Sequence, residues 1–137
     1  MIKLSIPGQP QGKGRAKVST YRGYARAYTP EKTAAYENLV KLAFEGSGQD
    51  KLTGALKMTV KAVYAIPKSF SRKKREAAVK GELRPQTKPD IDNVVKVICD
   101  ALNGLAYDDD RSITQLHAVK LYGDNPRVDI AIQEVGQ

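Results

Sequence analysis

The segment from residue 90 to residue 110 constrains the fold more than any other part of the chain. Its first half has the period of an amphipathic helix, which we expect over residues 91–103, with Gly104 as its C-terminal signal. At 100° per residue, the apolar side chains fall within an arc of about 100°: Ile91, Val94, Val95, Ile98 and Leu102. The polar side chains fall within about 80° on roughly the opposite side: Asp92, Lys96, Asp100 and Asn103.

Acidic residues are concentrated in the same segment, which holds six of the fifteen in the chain. Asp90 lies at the helix N-terminus, two residues before Asp92, and a turn at Gly104 can return Asp109 and Asp110 to the same end. Three carboxylates in one place repel one another unless a cation joins them. All-oxygen ligation by few protein groups is typical of Mg²⁺ or Mn²⁺. The segment therefore predicts a divalent-metal site.

Other interpretations of these residues stay open. Asp90 can be a helix cap, and residues 92, 96 and 100 can form an ordinary i,i+4 charge ladder on a solvated face. Residues 108–110 can form an acidic surface turn. A calcium loop of the EF-hand type is not expected, because its alternating ligand pattern is absent.

Charge is divided between the two parts of the chain. Residues 1–89 carry 19 Lys and Arg against 6 Asp and Glu (net +13), and residues 90–137 carry 4 against 9 (net −5). This asymmetry suggests one surface that attracts a polyanion and another that holds cations, as in an enzyme that cuts nucleic acid. The predicted phosphate contacts lie in a loop over residues 8–28 and in a basic run at 72–75: Lys13, Arg15, Lys17, Arg22, Arg26, Arg72, Lys73, Lys74 and Arg75. Tyr21, Tyr24 and Tyr28 are candidate stacking groups, although solvated charges and core tyrosines are the alternatives.

The remaining periodicities predict a single α+β domain over residues 1–137, with a mixed sheet backing two long helices. We expect strands over 2–6, 56–66, 113–122 and 127–134, and a short strand over 105–107. A helix over 30–45 follows Thr29 as N-cap, and a shorter helical segment spans 72–80. The order is β-α-β-α-α-β-β.

Other residue types narrow the chemistry. The single cysteine, Cys99, lies in the helical apolar repeat and is predicted to be a buried, inert thiol, and His117 is predicted to be structural. No stretch approaches the ~20 apolar residues of a membrane span, and the N-terminal residues lack a signal-peptide pattern. We expect a cytosolic protein with no membrane partner.

Residues 88–104, which read K-P-D-I-D-N-V-V-K-V-I-C-D-A-L-N-G, and residues 109–113, D-D-R-S-I, closely resemble the RusA family of Holliday junction resolvases, often carried by prophages. The resemblance extends to a P-x-x-K-x-R segment at residues 10–15 and to the final strands. It implies catalytic and metal-binding roles for Asp90, Asp92 and Asp110, with Asp109 as the alternative third ligand. It also implies an active-site role for Lys96, whereas Asp100 matches a family position as either a ligand or a structural group.

The resemblance further implies a Mg²⁺-dependent homodimer that makes paired nicks across four-way DNA junctions. Phosphodiester hydrolysis needs an activated water, a stabilised leaving oxygen and a neutralised phosphate, and Lys96 suits the last of these. A salt bridge from Lys96 to Asp92 and Asp100 is its alternative role. Two other functions stay open: a non-catalytic basic DNA-binding module, and a metal-dependent nuclease acting on flaps or single strands.

Overall fold

A computed structural model describes residues 1–14, 17–21, 23–28 and 30–136, mostly as backbone alone within 17–28. Six strands are described: β1 (Ile2–Pro7), β2 (Lys17–Tyr21), β3 (Tyr24–Tyr28), β4 (Leu56–Ala65), β5 (Ile113–Gly123) and β6 (Arg127–Glu134). The described helices are α1 (Glu31–Gly46), α2 (Arg72–Val79) and α3 (Ile91–Leu102), followed by a 3₁₀ turn at Asp110–Ser112.

The main sheet has four strands in the order β1-β6-β4-β5 and is mixed. β6 pairs antiparallel with both β1 and β4, whereas β4 and β5 are parallel. Parallel neighbours require a crossover, and here the crossover carries α2, α3 and the acidic residues. The predicted α+β fold with a mixed sheet is confirmed.

One face of the sheet is buried under α1 and α3. Alternation in β1, β4 and β6 directs every second side chain toward the helices, including Ile6, Val60 and Ile132, which have no exposed surface. The helices contribute Val40 from α1 and Ile98 from α3 to the same core. The core therefore fixes both helices on one side of the sheet.

The buried stripe of α3 is rotated slightly from the predicted arc. It comprises Val94, Val97, Ile98, Ala101 and Leu102, whereas Ile91 and Val95 are only partly buried. The difference arises because α3 packs against α1 as well as against the sheet, which buries Val97 and Ala101. The polar face stays outward, with Asp92, Lys96 and Asn103 exposed.

The prediction of a loop over residues 8–28 is wrong in its second half, where β2 and β3 form an antiparallel hairpin. Tyr21 pairs with Tyr24, and the connection includes Gly23 at φ +81°. β-Branched and aromatic residues around an x-Gly turn favour such a hairpin despite the basic residues between them.

Smaller differences occur at three helix or strand boundaries. α1 begins at Glu31 with Pro30 as its N-cap residue, and the predicted cap, Thr29, lies outside the described residues. α3 ends one residue early because Asn103 is already extended. The predicted strand over 105–107 is reduced to a single bridge between Asn103 and Tyr107. No helix in the described part of the chain is long and apolar enough to cross a membrane.

Candidate active site

The N-terminus of α3 presents Asp90 without using its side chain as a cap. Asp90 is the N-cap residue, with an extended backbone (φ −67°, ψ 148°), and its carbonyl accepts a hydrogen bond from the Val94 amide at 3.1 Å. Its carboxylate makes no capping hydrogen bond and is exposed. The capping interpretation therefore does not account for this carboxylate, which is available to a ligand.

Tyr64 fixes the backbone just before Asp90. Its hydroxyl donates to the Pro89 carbonyl at 2.8 Å. Burial raises the pKa of Tyr64 to about 12, and the negative charge of Asp90 contributes to the shift. Tyr64 of β4 thus ties the residue before Asp90 to the sheet.

Residues 12–14, the N-terminal segment, pack against the start of α3. The Lys13 amide donates to the Asn93 carbonyl at 3.0 Å, and the Gly14 amide donates to the Thr33 hydroxyl at 2.9 Å. A Cβ on Gly12 would lie 2.9 Å from Pro89 Cβ, so only glycine permits this approach. The segment and the start of α3 enclose a cleft of about 400 Å³ beside Asp90, also lined by Lys88.

The side chain of Lys13 joins the two long helices. Its ammonium nitrogen lies 2.5 Å from Glu37 Oε1 of α1 and 3.2 Å from Asp100 Oδ2 of α3. Burial lowers the pKa of Lys13, but the hydrogen bonds and charges of these two carboxylates outweigh it and leave the pKa raised. Lys96 approaches the same Asp100 oxygen more loosely, at 3.6 Å.

The three consecutive aspartates have different environments. Asp108 forms an ion pair with Lys51 at 2.5 Å. Asp109 caps the 3₁₀ turn, accepting from the Arg111 amide at 3.0 Å, and that bond and a hydrogen bond with Asp110 lower the pKa of Asp109. Asp110 is exposed, and its amide donates to the side-chain oxygen of Asn103 at 3.0 Å.

Neighbouring carboxylates affect the pKa of Asp110. Burial raises its pKa, and the hydrogen bond with Asp109 and the charges of Asp109 and Asp100 act in the same direction. The positive charge of Lys96 opposes them. Asp110 is held beside Asn103 at the C-terminal end of α3, and a cation there would relieve the repulsion among these carboxylates.

The predicted acidic residues line one exposed side of α3 but do not form a closed cage. Asp92 and Asp100 are separated by about 12 Å along the helix axis. Among the residues that the structure describes, no three His, Cys, Asp or Glu side chains approach closely enough to hold a metal ion. The arrangement is an open row, with Asp90 and Asp92 at the N-terminal end of α3, Lys96 in the middle and Asp110 beside Asn103 at the other end. The expectation that the turn at Gly104 returns Asp109 and Asp110 to the end that carries Asp90 is therefore wrong, because the reversed chain is held at Asn103.

The predicted DNA-binding residues fall into three groups. Lys13 is internal rather than a free surface cation. Arg15 and Arg22 lie outside the described residues, as do the side chains of Lys17 and Arg26, whose backbone belongs to the hairpin.

The third group is the basic run on α2, whose four side chains are all exposed. Arg72 contacts Glu76 at 3.6 Å, Arg75 donates to the Pro67 carbonyl, and Lys74 lies 4.4 Å from the Phe70 ring centroid. Lys73 completes the run. These contacts hold α2 locally and leave its charges facing solvent.

Four residues of this site were not predicted. Glu37 and Asn93 contact Lys13, and Tyr64 contacts the residue before α3. Asn103 accepts a hydrogen bond from the Asp110 amide. Asn103 had a signal, since it belongs to the polar arc of α3, but its amide partner depends on the chain reversal. Glu37 had none, because nothing local in the sequence of α1 indicates which helix it faces.

The cysteine and the histidine take no part in this row. Burial raises the pKa of Cys99 to about 11, so its thiol is protonated and unreactive at neutral pH. His117 is exposed on β5, in register with Thr59 of β4.

Two comparisons place the chain among known proteins. The family described as Endodeoxyribonuclease RusA matches residues 7–133. A protein of Bacillus subtilis (strain 168), named "Uncharacterized protein YqaN", is 41% identical over 137 residues, covering 98% of this chain and 96% of that protein. The matched residues span α1, α3 and every residue of the acidic row.

Proposed function

Because the chain belongs to the RusA family of endodeoxyribonucleases, we propose that it is a Mg²⁺-dependent enzyme that resolves four-way DNA junctions by paired, symmetric nicks. The observation that carries the proposal is the exposed row on α3, where carboxylates at both ends flank Lys96 and the cleft beside Asp90 carries the exposed Lys88. DNA phosphates supply the negative charge that such a cleft attracts.

The residues fit a divalent cation in their donor chemistry. Asp90 and Asp92 are exposed, and the Asp90 carboxylate is free of capping bonds. Asp110 sits where neighbouring carboxylates disfavour its own ionisation, a conflict that a cation would remove. Mg²⁺ keeps several waters and needs few protein carboxylates. We therefore propose Asp90, Asp92 and Asp110 as ligands, with Mn²⁺ as a substitute metal. Among the described residues these carboxylates do not converge, so metal binding on this proposal draws Asp110 toward the other two.

The choice of Asp110 over Asp109 follows from their hydrogen bonds. Asp109 already accepts from the backbone of the turn that it caps, whereas the Asp110 amide is held by Asn103 and its carboxylate is exposed. Asp109 thus has a structural role as the cap of the 3₁₀ turn.

The chain's own groups position and neutralise the substrate. Bound Mg²⁺ would supply the acidified water and stabilise the leaving oxygen. Lys96, whose side chain is 61% exposed and only loosely paired at 3.6 Å, is free to approach a phosphate oxygen and offset its growing negative charge. Lys88 and the β2–β3 hairpin would bind the DNA strand that flanks the cleaved phosphate.

Two copies of the chain would place two such sites about a two-fold axis, which accounts for nicks on opposed strands. The homodimer, like a cytosolic location, is part of the proposal. The test compares a four-way junction, a flap and a linear duplex, each with Mg²⁺, with Mn²⁺ and with neither.

We expect paired cleavage of the junction that depends on the metal. Binding without cleavage in either metal would support a non-catalytic DNA-binding module, and preferential cleavage of flaps would support a different nuclease. Sedimentation of a monomer at assay concentrations would contradict the paired mechanism.

A further inference from the structure

Two lysines compete for one carboxylate oxygen beside the candidate active site. Asp100 Oδ2 lies 3.2 Å from the ammonium nitrogen of Lys13 and 3.6 Å from that of Lys96. Lys13 and Asp100 are mostly enclosed, with side chains 23% and 27% exposed, whereas that of Lys96 is 61% exposed. The inner lysine therefore holds the carboxylate, and the outer one rests loosely at its edge.

The charges in this cluster balance only when Lys13 is present. Glu37 and Asp100 supply two negative charges, which Lys13 and Lys96 balance, and Lys13 contacts both carboxylates. Without Lys13, the carboxylate of Asp100 would keep Lys96 as its remaining partner among the described residues. A partly enclosed ion pair without competition is stronger than the same pair shared with a second cation.

We propose that Lys13 is a positioning residue: by occupying Asp100 and Glu37, it keeps Lys96 out of a tight salt bridge and leaves the Lys96 ammonium free for the DNA phosphate. This inference rests on the proposed function of Lys96. It replaces a direct DNA contact for Lys13, because that ammonium already contacts two carboxylates.

The backbone contacts of the N-terminal segment make this role a fixed one. The Lys13 amide is bound to α3 through Asn93, and the next amide is bound to α1 through Thr33. The backbone of residues 13 and 14 and the side chain of Lys13 therefore contact the same two helices. A lysine anchored in this way neutralises Asp100 whether or not DNA is bound.

The test measures kcat and KM for junction cleavage, and junction affinity without metal, in Lys13→Met, which keeps the length of the side chain and removes its charge. We expect kcat to fall by roughly tenfold, within the range of coupling for residues in one ion network, with affinity and KM unchanged. In the double variant Lys13→Met/Asp100→Asn, the amide no longer captures Lys96, and kcat should return to within about threefold of wild type.

The matched control is Lys13→Met/Glu37→Gln, which removes the carboxylate that Lys96 does not contact. It should stay as slow as Lys13→Met. Lys13→Gln, which can still donate a hydrogen bond to either carboxylate, provides the same comparison if Lys13→Met fails to fold, as thermal unfolding would reveal.

A second readout does not depend on cleavage. The acetylation rate of Lys96, measured by peptide mass spectrometry relative to exposed Lys73, should fall in Lys13→Met and recover in the double variant with Asp100→Asn. Absence of cleavage by the wild type would refute the proposed function, while this labelling would still decide whether Lys13 controls Lys96.

Three results would overturn the inference. They are equal slowness of both double variants, weakened junction binding by Lys13→Met at unchanged kcat, and an acetylation rate of Lys96 that does not respond to Lys13.

Discussion

At the scale of single residues, the free carboxylates around α3 give the sharpest test of the site. Asp90→Asn, Asp92→Asn and Asp110→Asn should each lose nearly all cleavage, because each removes a charged oxygen ligand of the metal. Junction binding without metal should persist or strengthen, since negative charge next to DNA is removed. Gel-based cleavage and binding assays on one junction measure both effects.

Asp109→Asn is the matched control for Asp110→Asn. An asparagine side-chain oxygen can still accept from the Arg111 amide, so the 3₁₀ turn should survive. We expect a much milder loss of cleavage than in Asp110→Asn. If the two variants are equally inactive, Asp109 is a ligand as well; a reversed order would make it the ligand in place of Asp110.

Lys96 carries a prediction of its own. Lys96→Ala should fold, bind metal and DNA, and cleave about 10² to 10³ times more slowly, the usual loss when one electrostatic stabiliser of the transition state is removed. Lys96→Arg should recover little, because a planar guanidinium does not replace a compact ammonium. Single-turnover rates at saturating metal measure the effect. An unchanged rate, or an unfolded protein, would favour a purely structural salt bridge with Asp100.

At the scale of elements, the approach of the N-terminal segment to α3 depends on the absence of a side chain at residue 12. A methyl group in Gly12→Ala would lie 2.9 Å from Pro89 Cβ and 3.1 Å from Asn93 Cβ. The segment must then shift away from α3, at a cost of about 1–3 kcal/mol in the free energy of unfolding. We expect cleavage to fall with it, because Lys13 moves too.

Gly46→Ala is the control for that change. A Cβ at the end of α1 meets nothing within 4 Å, so stability and cleavage should stay close to wild type. Thermal unfolding and junction cleavage, measured for both variants, separate the local clash from a general effect of losing glycine. Wild-type behaviour of Gly12→Ala would show that the segment does not need its close approach.

The elements also show how far the sequence predicts this molecule. The period of α3 predicted most of its buried side and the outward position of Asp92 and Lys96, because an amphipathic pattern depends on local geometry alone. Asp100, from the same predicted face, is instead mostly enclosed beside Lys13. The partnership of Lys13 with Glu37 depends on how α1 packs beside α3, which no local pattern determines. Likewise, identical residues at 108, 109 and 110 differ only through Lys51, the turn amide and Asn103.

At the scale of the whole molecule, the division of charge predicts how binding depends on salt. Removing one cation that binds a DNA phosphate should reduce the slope of log affinity against log salt by about 0.9. We expect Lys17→Ala/Arg22→Ala/Arg26→Ala, in and around the hairpin, to flatten the slope for four-way junctions. Filter binding between low and physiological salt measures it.

The α2 variant Arg72→Ala/Lys73→Ala/Lys74→Ala removes the same charge from another surface. Comparing its slope with that of the hairpin variant shows whether both surfaces contact DNA or only one. An unchanged slope in the hairpin variant would exclude the hairpin from the interface. Because Lys13 is internal, Lys13→Met should leave the slope as it is.

The pairing of the first strand with the last has a consequence for protein synthesis. In the four-stranded sheet, β1 has β6 as its neighbour, with Ile2 opposite Ile132. A nascent chain that has not yet released β6 from the ribosome leaves β1 without its partner in this sheet. The sheet that supports α1 and α3 should therefore close only after β6 has emerged, so this domain is expected to fold late in its synthesis.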